Sequence, residues 1–190
     1  MPSALAKDPE KNTFYRKIIT SMPKDMAKWE DLLRHFLTHL IDRYGTEEVR
    51  QWPFGVWNEP ATSEQLFGLK EEEYFALYDS SYRAIKQIDG ALTVGGPSHF
   101  AAFGKTDDFL FRFLAHASKA DTTPDFLDVH YYDIDMRTPY LDQNGIKRFT
   151  PLAPSPDTFN GFIDVLKARL HEAGADMPLY ITEWNSTTSH

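Results

Sequence analysis

Apolar residues recur at steps of three and four in four stretches of the chain, which is the spacing of amphipathic helices. The first predicted helix begins after Asp25, a suitable N-cap, and ends at Gly45, a suitable stop. Residues 1–24 carry several prolines and no sustained period, so we expect irregular structure there. The other predicted helices cover residues 70–88, 106–118 (with Thr106 as cap) and 157–173.

Short apolar runs separate these helices and predict four β-strands: Phe54–Trp57, Leu92–Pro97, Phe126–Tyr132 and Leu179–Thr182. Strands that alternate with helices favour a parallel sheet, because parallel neighbours need a crossover connection. Gly95 and Gly96 are expected to bend the backbone where the second strand ends. Residues 133–156 contain four prolines and are predicted to form a long loop that walls a pocket.

Composition narrows the function classes. The 190 residues are 42% hydrophobic and 25% charged, which suits one α/β domain with a sizeable core over residues 1–190. The net charge of −8 argues against a nucleic-acid partner, since a phosphate backbone needs a basic patch. The chain has no cysteine, which excludes disulfides and thiolate metal sites, and no apolar run of membrane-spanning length. We expect no metal and no cofactor.

Two glutamates follow predicted strands. Glu59 ends the run Trp57-Asn58-Glu59-Pro60, and Glu183 ends a later strand beside Trp184. Carboxylates at the C-terminal tips of parallel strands are where α/β barrels carry their chemistry. Two of them are the minimum equipment for hydrolysing a glycosidic bond. The alternative is structural: Glu59 merely caps the turn that follows it.

A third strand ends in His130, Tyr131 and Tyr132. A lone histidine at a strand tip is more often structural than functional. On the same rim as two carboxylates, however, these three residues are candidates for lining a pocket.

The two glutamate motifs carry a family resemblance. Val56–Pro60 and Ile181–Ser186 resemble the two signatures of glycoside hydrolase family 39. The segments between them, Val94–Pro97, Asp125–Tyr131 and Pro178–Tyr180, also look like that family, and the resemblance covers essentially the whole chain. The family contains β-xylosidases and α-L-iduronidases and has the (β/α)8 barrel fold.

The resemblance implies a role for each site residue. Glu59 would be the general acid/base and Glu183 the nucleophile of a retaining hydrolase. Within the family, the expected activity is that of a xylan β-1,4-xylosidase, whose substrate is a carbohydrate. Asn58 would hold the sugar 2-hydroxyl. Trp57, Trp184 and the cluster of His130, Tyr131 and Tyr132 would line the subsite, with one tyrosine hydrogen-bonded to the nucleophile.

The chain departs from the family in two ways. Gly55 and Ala61 stand where relatives usually carry a glutamate and an asparagine, which affects the subsite beside Glu59. The chain also supplies four strands where a closed barrel has eight, in about 250 residues. By resemblance these are the fourth to seventh, in an incomplete catalytic domain.

An incomplete barrel would leave open edges. Two chains would then pair through those edges as a homo-oligomer, or the chain would be an inactive fragment or a carbohydrate-binding module of the same fold. The N-terminal residues show no secretory signal, which favours the cytoplasm, although a leader would be lost with the missing strands.

Overall fold

The computed structural model describes residues 1–13, 17–63, 66–103, 108–145, 147–153 and 155–185. The predicted cap Thr106 and the motif residue Ser186 lie outside these ranges. The elements, in chain order, are β1 (Asn12–Thr13), β2 (Ile18–Ile19), α1 (Met26–Tyr44), α2 (Thr46–Val49), β3 (Pro53–Gly55), α3 (Glu71–Ile88), β4 (Thr93–Phe103), α4 (Phe109–Ala120), β5 (Phe126–Leu141), β6 (Lys147–Pro151), α5 (Pro156–Glu172) and β7 (Leu179–Asn185).

The predicted alternation of strands and helices is confirmed. Strand β3 pairs in parallel with β4, β4 with β5, and β5 with β7, while α3, α4 and α5 supply the crossovers. Within the described chain, β3 and β7 each have a sheet partner on one side only. The C-terminal ends of all four parallel strands therefore lie at the same end of the sheet, and both glutamate motifs lie there.

The loop predicted for residues 133–156 is wrong over most of its length. Strand β5 continues to Leu141, and β6 folds back against it as an antiparallel hairpin. Pro139 and Pro151, whose presence suggested a loop, are paired with Phe149 and Ile134. Pro151 is tolerated because β6 is an edge strand in the described sheet. Pro139 is tolerated because it lies beyond Asp135, the last β5 residue paired with β4, so β5 has a partner on one side only at that point.

Strand β4 is longer than its glycines suggested. It does not end at Pro97 but continues to Phe103, with a shift in register between Gly96 and His99. Gly95 is required for another reason: a Cβ added there would clash with the carbonyl oxygen of Phe126 on β5. The two strands approach each other too closely for any side chain at this point.

The predicted ends of α1 are confirmed. The Asp25 side chain accepts a hydrogen bond from the Lys28 N–H at 3.2 Å, which satisfies one of the free donors of the first turn. Gly45 stops the helix at φ 88°, a left-handed conformation that glycine adopts without strain. The region expected to be irregular contains the small antiparallel pair of β1 and β2, and the four-residue helix α2 was not predicted.

The core lies between the sheet and the helices α3 and α4. Its largest fully buried members are aromatic and aliphatic side chains of these elements, including Tyr74, Tyr78, Phe113 and Leu127. Several large apolar side chains near the two sheet edges are exposed, among them Phe36 on α1 and Trp184 on β7. None of the described helices is long and apolar enough to cross a membrane.

Candidate active site

Glu59 lies in the loop after β3, and its side chain points toward the C-terminal ends of the parallel strands. Its backbone adopts φ 48°, and its N–H donates to the Ser98 carbonyl of β4 at 3.2 Å. The following turn is closed by Thr62, whose hydroxyl donates to the Glu59 main-chain carbonyl at 2.8 Å. The carboxylate takes no part in that turn, because it lies against His130 instead. The residue is only 9% exposed.

Glu183 reaches the same place through an irregularity in β7. Ile181 pairs with Val129 and Glu183 with His130, so Thr182 is an extra residue on the β7 side. Side chains alternate between faces along a regular strand. The bulge therefore turns Glu183 onto the face of His130, where regular pairing would have turned it away.

His130 lies between the two carboxylates. Its Nδ1 is 2.8 Å from Glu59 Oε1 and 3.4 Å from Glu183 Oε2. Carboxylate oxygens of the two glutamates and the imidazole nitrogen all lie within 4.8 Å of one another. Among the described residues, Glu59, His130 and Glu183 are spaced closely enough to hold a metal ion. The hydrogen bond between His130 and Glu59 accounts for part of this close spacing. The histidine itself is buried.

Tyr132 completes the cluster, whereas Tyr131 does not join it. The Tyr132 hydroxyl donates to Glu183 Oε2 at 2.6 Å. Burial and then this hydrogen bond raise the pKa of the Tyr132 hydroxyl, so it remains a donor at neutral pH.

Tyr131 lies on the opposite face of β5. It is 1% exposed, its hydroxyl donates to Asp133 at 2.6 Å, and its ring packs on Phe159 and Phe162 of α5. Adjacent strand residues face opposite sides of a sheet, so only one of the two tyrosines can reach the carboxylates.

The remaining candidates are not gathered around the pair. The Trp57 indole N–H donates to the Phe67 carbonyl at 2.9 Å, and its ring packs against the core. Trp184 is 73% exposed and its nearest described ring is Phe159, on the α5 side of β7. Asn58 is half-buried beside Glu59, and its amide makes no hydrogen bond to the described chain.

The geometry is that of a paired-carboxylate site. Inverting hydrolysis needs carboxyl groups about 6.5–9.5 Å apart to admit a water, whereas double displacement uses about 5–5.5 Å. A separation of carboxylate oxygens within 4.8 Å fits the shorter class. The buried Glu59 faces a Glu183 side chain that is 44% exposed, so one carboxylate is enclosed and the other is open to a ligand.

The sequence matches the profile of glycosyl hydrolases family 39 over residues 1–190. The chain belongs to this family. Its resemblance to that family, inferred from the two glutamate motifs, is thereby confirmed, and its parallel strands and crossover helices are part of the family's (β/α)8 barrel.

Relatives within and near the family agree on this placement. The chain is 35% identical to a β-xylosidase of Geobacillus stearothermophilus, matching all of this chain and 36% of the relative. It superposes on the crystal structure of a monomeric β-xylosidase from Caulobacter crescentus CB15 with a TM-score of 0.81 at 37% identity, covering 98% of this chain and 36% of that one. A human α-L-iduronidase is 30% identical over 39% of this chain and 12% of its own length. The chain thus spans about a third of the length of the relatives it matches over its full extent.

Three residues of this family 39 chain were not singled out from sequence. Asp128, Ser98 and Thr182 form a hydrogen-bonded group on the face that carries His130, in which the aspartate and the serine are buried and the threonine is exposed. A signal for the first was present, because an aspartate in the middle of the apolar run Phe126–Val129 needs a partner. No comparable signal marks the serine or the threonine.

Proposed function

We propose that this chain carries the catalytic pair of a retaining glycoside hydrolase that acts on β-xylosides. The observation that carries the proposal is the approach of Glu59 and Glu183 to within 4.8 Å across His130. Membership of family 39 supports it, as does the fact that the two carboxylates lie at the C-terminal ends of parallel strands of one sheet.

In the first step Glu183 attacks the anomeric carbon of the sugar. The bond from that carbon to the leaving oxygen breaks, and Glu59 gives its proton to that oxygen. Tyr132 and His130 place hydrogen-bonding groups 2.6 and 3.4 Å from Glu183 Oε2, which fix the orientation of the carboxylate before attack. The product of the step is a glycosyl ester on Glu183 and a free alcohol.

In the second step water replaces the leaving group. Glu59, now ionised, removes a proton from the water as it attacks the anomeric carbon, and the bond to Glu183 breaks. The sugar leaves with its original anomeric configuration, and both carboxyl groups return to their starting states. The same Glu59 acts first as acid and then as base, which requires it to stay beside the reacting oxygen throughout.

The burial of the two residues supports this division of roles. Glu59 is 9% exposed and hydrogen-bonded to a buried histidine, which holds its carboxyl group in one position beside the leaving oxygen. Glu183 is open on one side and accepts a hydrogen bond from Tyr132, as expected of the group that must reach the sugar carbon.

A neutral pentose is the substrate class we propose. The relatives matched along the whole chain include β-xylosidases, whereas the α-L-iduronidase match covers 39% of this chain. A uronic acid needs a cationic clamp for its carboxylate. Arg137 and Arg148 are the arginines of the β5–β6 hairpin, and they form ion pairs with Asp135 and Asp142 at 2.8 and 3.1 Å. Because these charges are already paired within the hairpin, they do not favour a uronic acid.

A carbohydrate-binding module without catalysis is the second candidate. It is favoured by one observation: Trp184, the residue after Glu183, is 73% exposed, so its ring is open to stack on a sugar face. A binding module would retain the cluster of Glu59, His130 and Glu183 without forming a covalent intermediate.

Covalent trapping separates the two candidates. An activated 2-fluoro-β-xyloside should add one fluoroxylosyl group to the chain, and peptide mapping should place it on Glu183. The matched control is Glu183→Gln, which keeps the shape of the side chain and should not be labelled. Saturable xylose binding without any adduct would reject the hydrolase and leave the binding module.

A further inference from the structure

Beneath the two carboxylates lies a buried aspartate with no assigned role. Asp128 is on β5, two residues before His130 and on the same face, which places it about 7 Å deeper in the sheet. It is 3% exposed, and the described chain offers it no ion pair. A buried carboxylate is tolerated only when hydrogen bonds satisfy its oxygens. The groups that donate those hydrogen bonds therefore indicate what Asp128 does in the fold.

Those partners come from both neighbouring strands. The Ser98 N–H donates to Asp128 Oδ1 at 2.8 Å, and the Ser98 hydroxyl donates to Oδ2. On the other side of β5 the Thr182 hydroxyl donates to the same Oδ2 at 3.4 Å. Asp128 therefore ties β4 and β7 to β5 at one level of the sheet.

Each partner is directly linked to a glutamate: Ser98 by a hydrogen bond to Glu59, and Thr182 as the residue before Glu183. Ser98 accepts the Glu59 N–H on its main-chain carbonyl at 3.2 Å. Ser98 has φ 49°, a conformation that a non-glycine residue holds only when its surroundings fix it, and the two hydrogen bonds to Asp128 do so. Asp128 thus fixes the conformation of Ser98, whose carbonyl accepts the hydrogen bond from the Glu59 N–H.

The second partner is the bulge itself. Thr182 is the extra residue of β7, and its insertion is what turns the next residue, Glu183, toward His130. A hydrogen bond from its side chain to Asp128 fixes the bulge at this register. Regular pairing of Thr182 with His130 would instead carry Glu183 to the far side of the strand.

We propose that Asp128 is the positioning residue that sets the separation of Glu59 and Glu183, through Ser98 on one side and Thr182 on the other. It does not touch the sugar. This inference rests on the proposed function for its kinetic consequence, but its geometric consequence is independent of any activity.

The test compares Asp128→Asn with Asp133→Asn. The first replaces the buried acceptor by an amide of the same shape, which cannot accept all three hydrogen bonds. The control removes another buried carboxylate of β5 that accepts a tyrosine hydroxyl, on the face away from the site. Ser98→Ala and Thr182→Val each delete one donor and serve if Asp128→Asn does not fold.

Two readouts are taken on the whole chain. The ¹⁵N shifts of the His130 ring, assigned with His130→Gln, report the contact of Nδ1 with Glu59 whether or not the chain turns over. The rate of Glu183 labelling by the 2-fluoro-β-xyloside, together with kcat and KM on an aryl β-xyloside, reports the consequence for chemistry.

The proposal expects Asp128→Asn to move the His130 shifts and to slow labelling and kcat by about 10- to 100-fold, with KM changed less than about threefold. Thr182→Val and Ser98→Ala should follow in the same direction, and Asp133→Asn should match wild type in both readouts. Folded Asp128→Asn with wild-type shifts and labelling overturns it, as does an equal loss in Asp133→Asn. If wild type itself is not labelled, the proposed function fails and the His130 shifts alone decide the positioning claim.

Discussion

Two adjacent tyrosines offer a sharp test of which face of β5 carries the chemistry. Tyr132 and Tyr131 each donate to a carboxylate at 2.6 Å, the first to Glu183 and the second to Asp133. Replacing either by phenylalanine removes one hydroxyl and leaves the ring. The two variants therefore differ only in the side of the sheet on which a hydrogen bond is lost.

The sizes of the two effects follow from burial. A hydrogen bond to a charged group contributes about 1.5–3 kcal/mol, equivalent to about 10- to 150-fold in a rate. Glu183 is 44% exposed, and water replaces part of the lost interaction, so we expect the low end, about tenfold in kcat/KM for Tyr132→Phe. Tyr131→Phe leaves the buried Asp133 short of a donor with no water to replace it, and should cost about 1.5–3 kcal/mol of folding free energy.

The assay pairs kinetics with urea unfolding for both variants. Hydrolysis of an aryl β-xyloside, or the rate of labelling by a 2-fluoro-β-xyloside, should fall for Tyr132→Phe and stay within twofold of wild type for Tyr131→Phe. The free energy of unfolding should show the opposite pattern. Equal kinetic losses in the two variants, or none in a folded Tyr132→Phe, would refute the assignment of faces.

Four further predictions concern the pair, the core, the surface and the edges. Glu59→Ala should lose most turnover and regain it with azide, yielding a β-xylosyl azide by mass spectrometry and NMR; no rescue would argue against an acid/base role. Tyr78 is fully buried and its hydroxyl has no partner in the described chain, whereas the Tyr74 hydroxyl donates to a main-chain carbonyl at 3.3 Å. Chemical denaturation should therefore find Tyr78→Phe neutral or about 1 kcal/mol more stable and Tyr74→Phe about 1 kcal/mol less stable, and the reverse order would contradict the packing. Burial raises the pKa of both hydroxyls, so stability should be full below about pH 10 and fall above it, less steeply in Tyr78→Phe. The hydrogen bond from Arg50 lowers the pKa of Asp89, so stability from this pair is present above about pH 4 and lost as the pH falls further; Arg50→Gln should flatten acid unfolding curves in that window. Because two sheet edges are unpaired in the described chain, sedimentation of the 190-residue protein should show self-association at micromolar concentration, and a well-folded monomer would contradict it.

Much of the fold was accessible from sequence because local rules and global packing agree. Asp25 and Gly45 bound a helix for reasons that involve only a few neighbouring residues, and both were predicted. The hairpin of β5 and β6 was missed because Pro139 and Pro151 usually mark loops. Whether proline is tolerated in a strand depends on whether that strand is an edge, which is a property of the assembled sheet.

The site divides in the same way. Placing Glu59 and Glu183 at one rim followed from their positions after parallel strands. Strand alternation could also have shown that Tyr131 and Tyr132 cannot both face that rim.

The direction of Glu183 was not predictable from sequence by such rules. Residues 179–182 are a regular strand by pattern, and simple alternation counted from Tyr180 would send Glu183 to the opposite face. The bulge at Thr182 is a feature of the pairing with β5, and Thr182 also donates a hydrogen bond to Asp128; both contacts exist only in the folded sheet.

The spacing of the two carboxylates is tested most directly by the anomer released first. Proton NMR of early hydrolysis of an aryl β-xyloside distinguishes the sugar anomers before they interconvert. Carboxylate oxygens within 4.8 Å of each other favour double displacement, so the proposed function predicts that β-xylose forms first and that the α anomer grows in only by mutarotation. Initial release of α-xylose would mean that a water enters between the two glutamates, and would contradict the account.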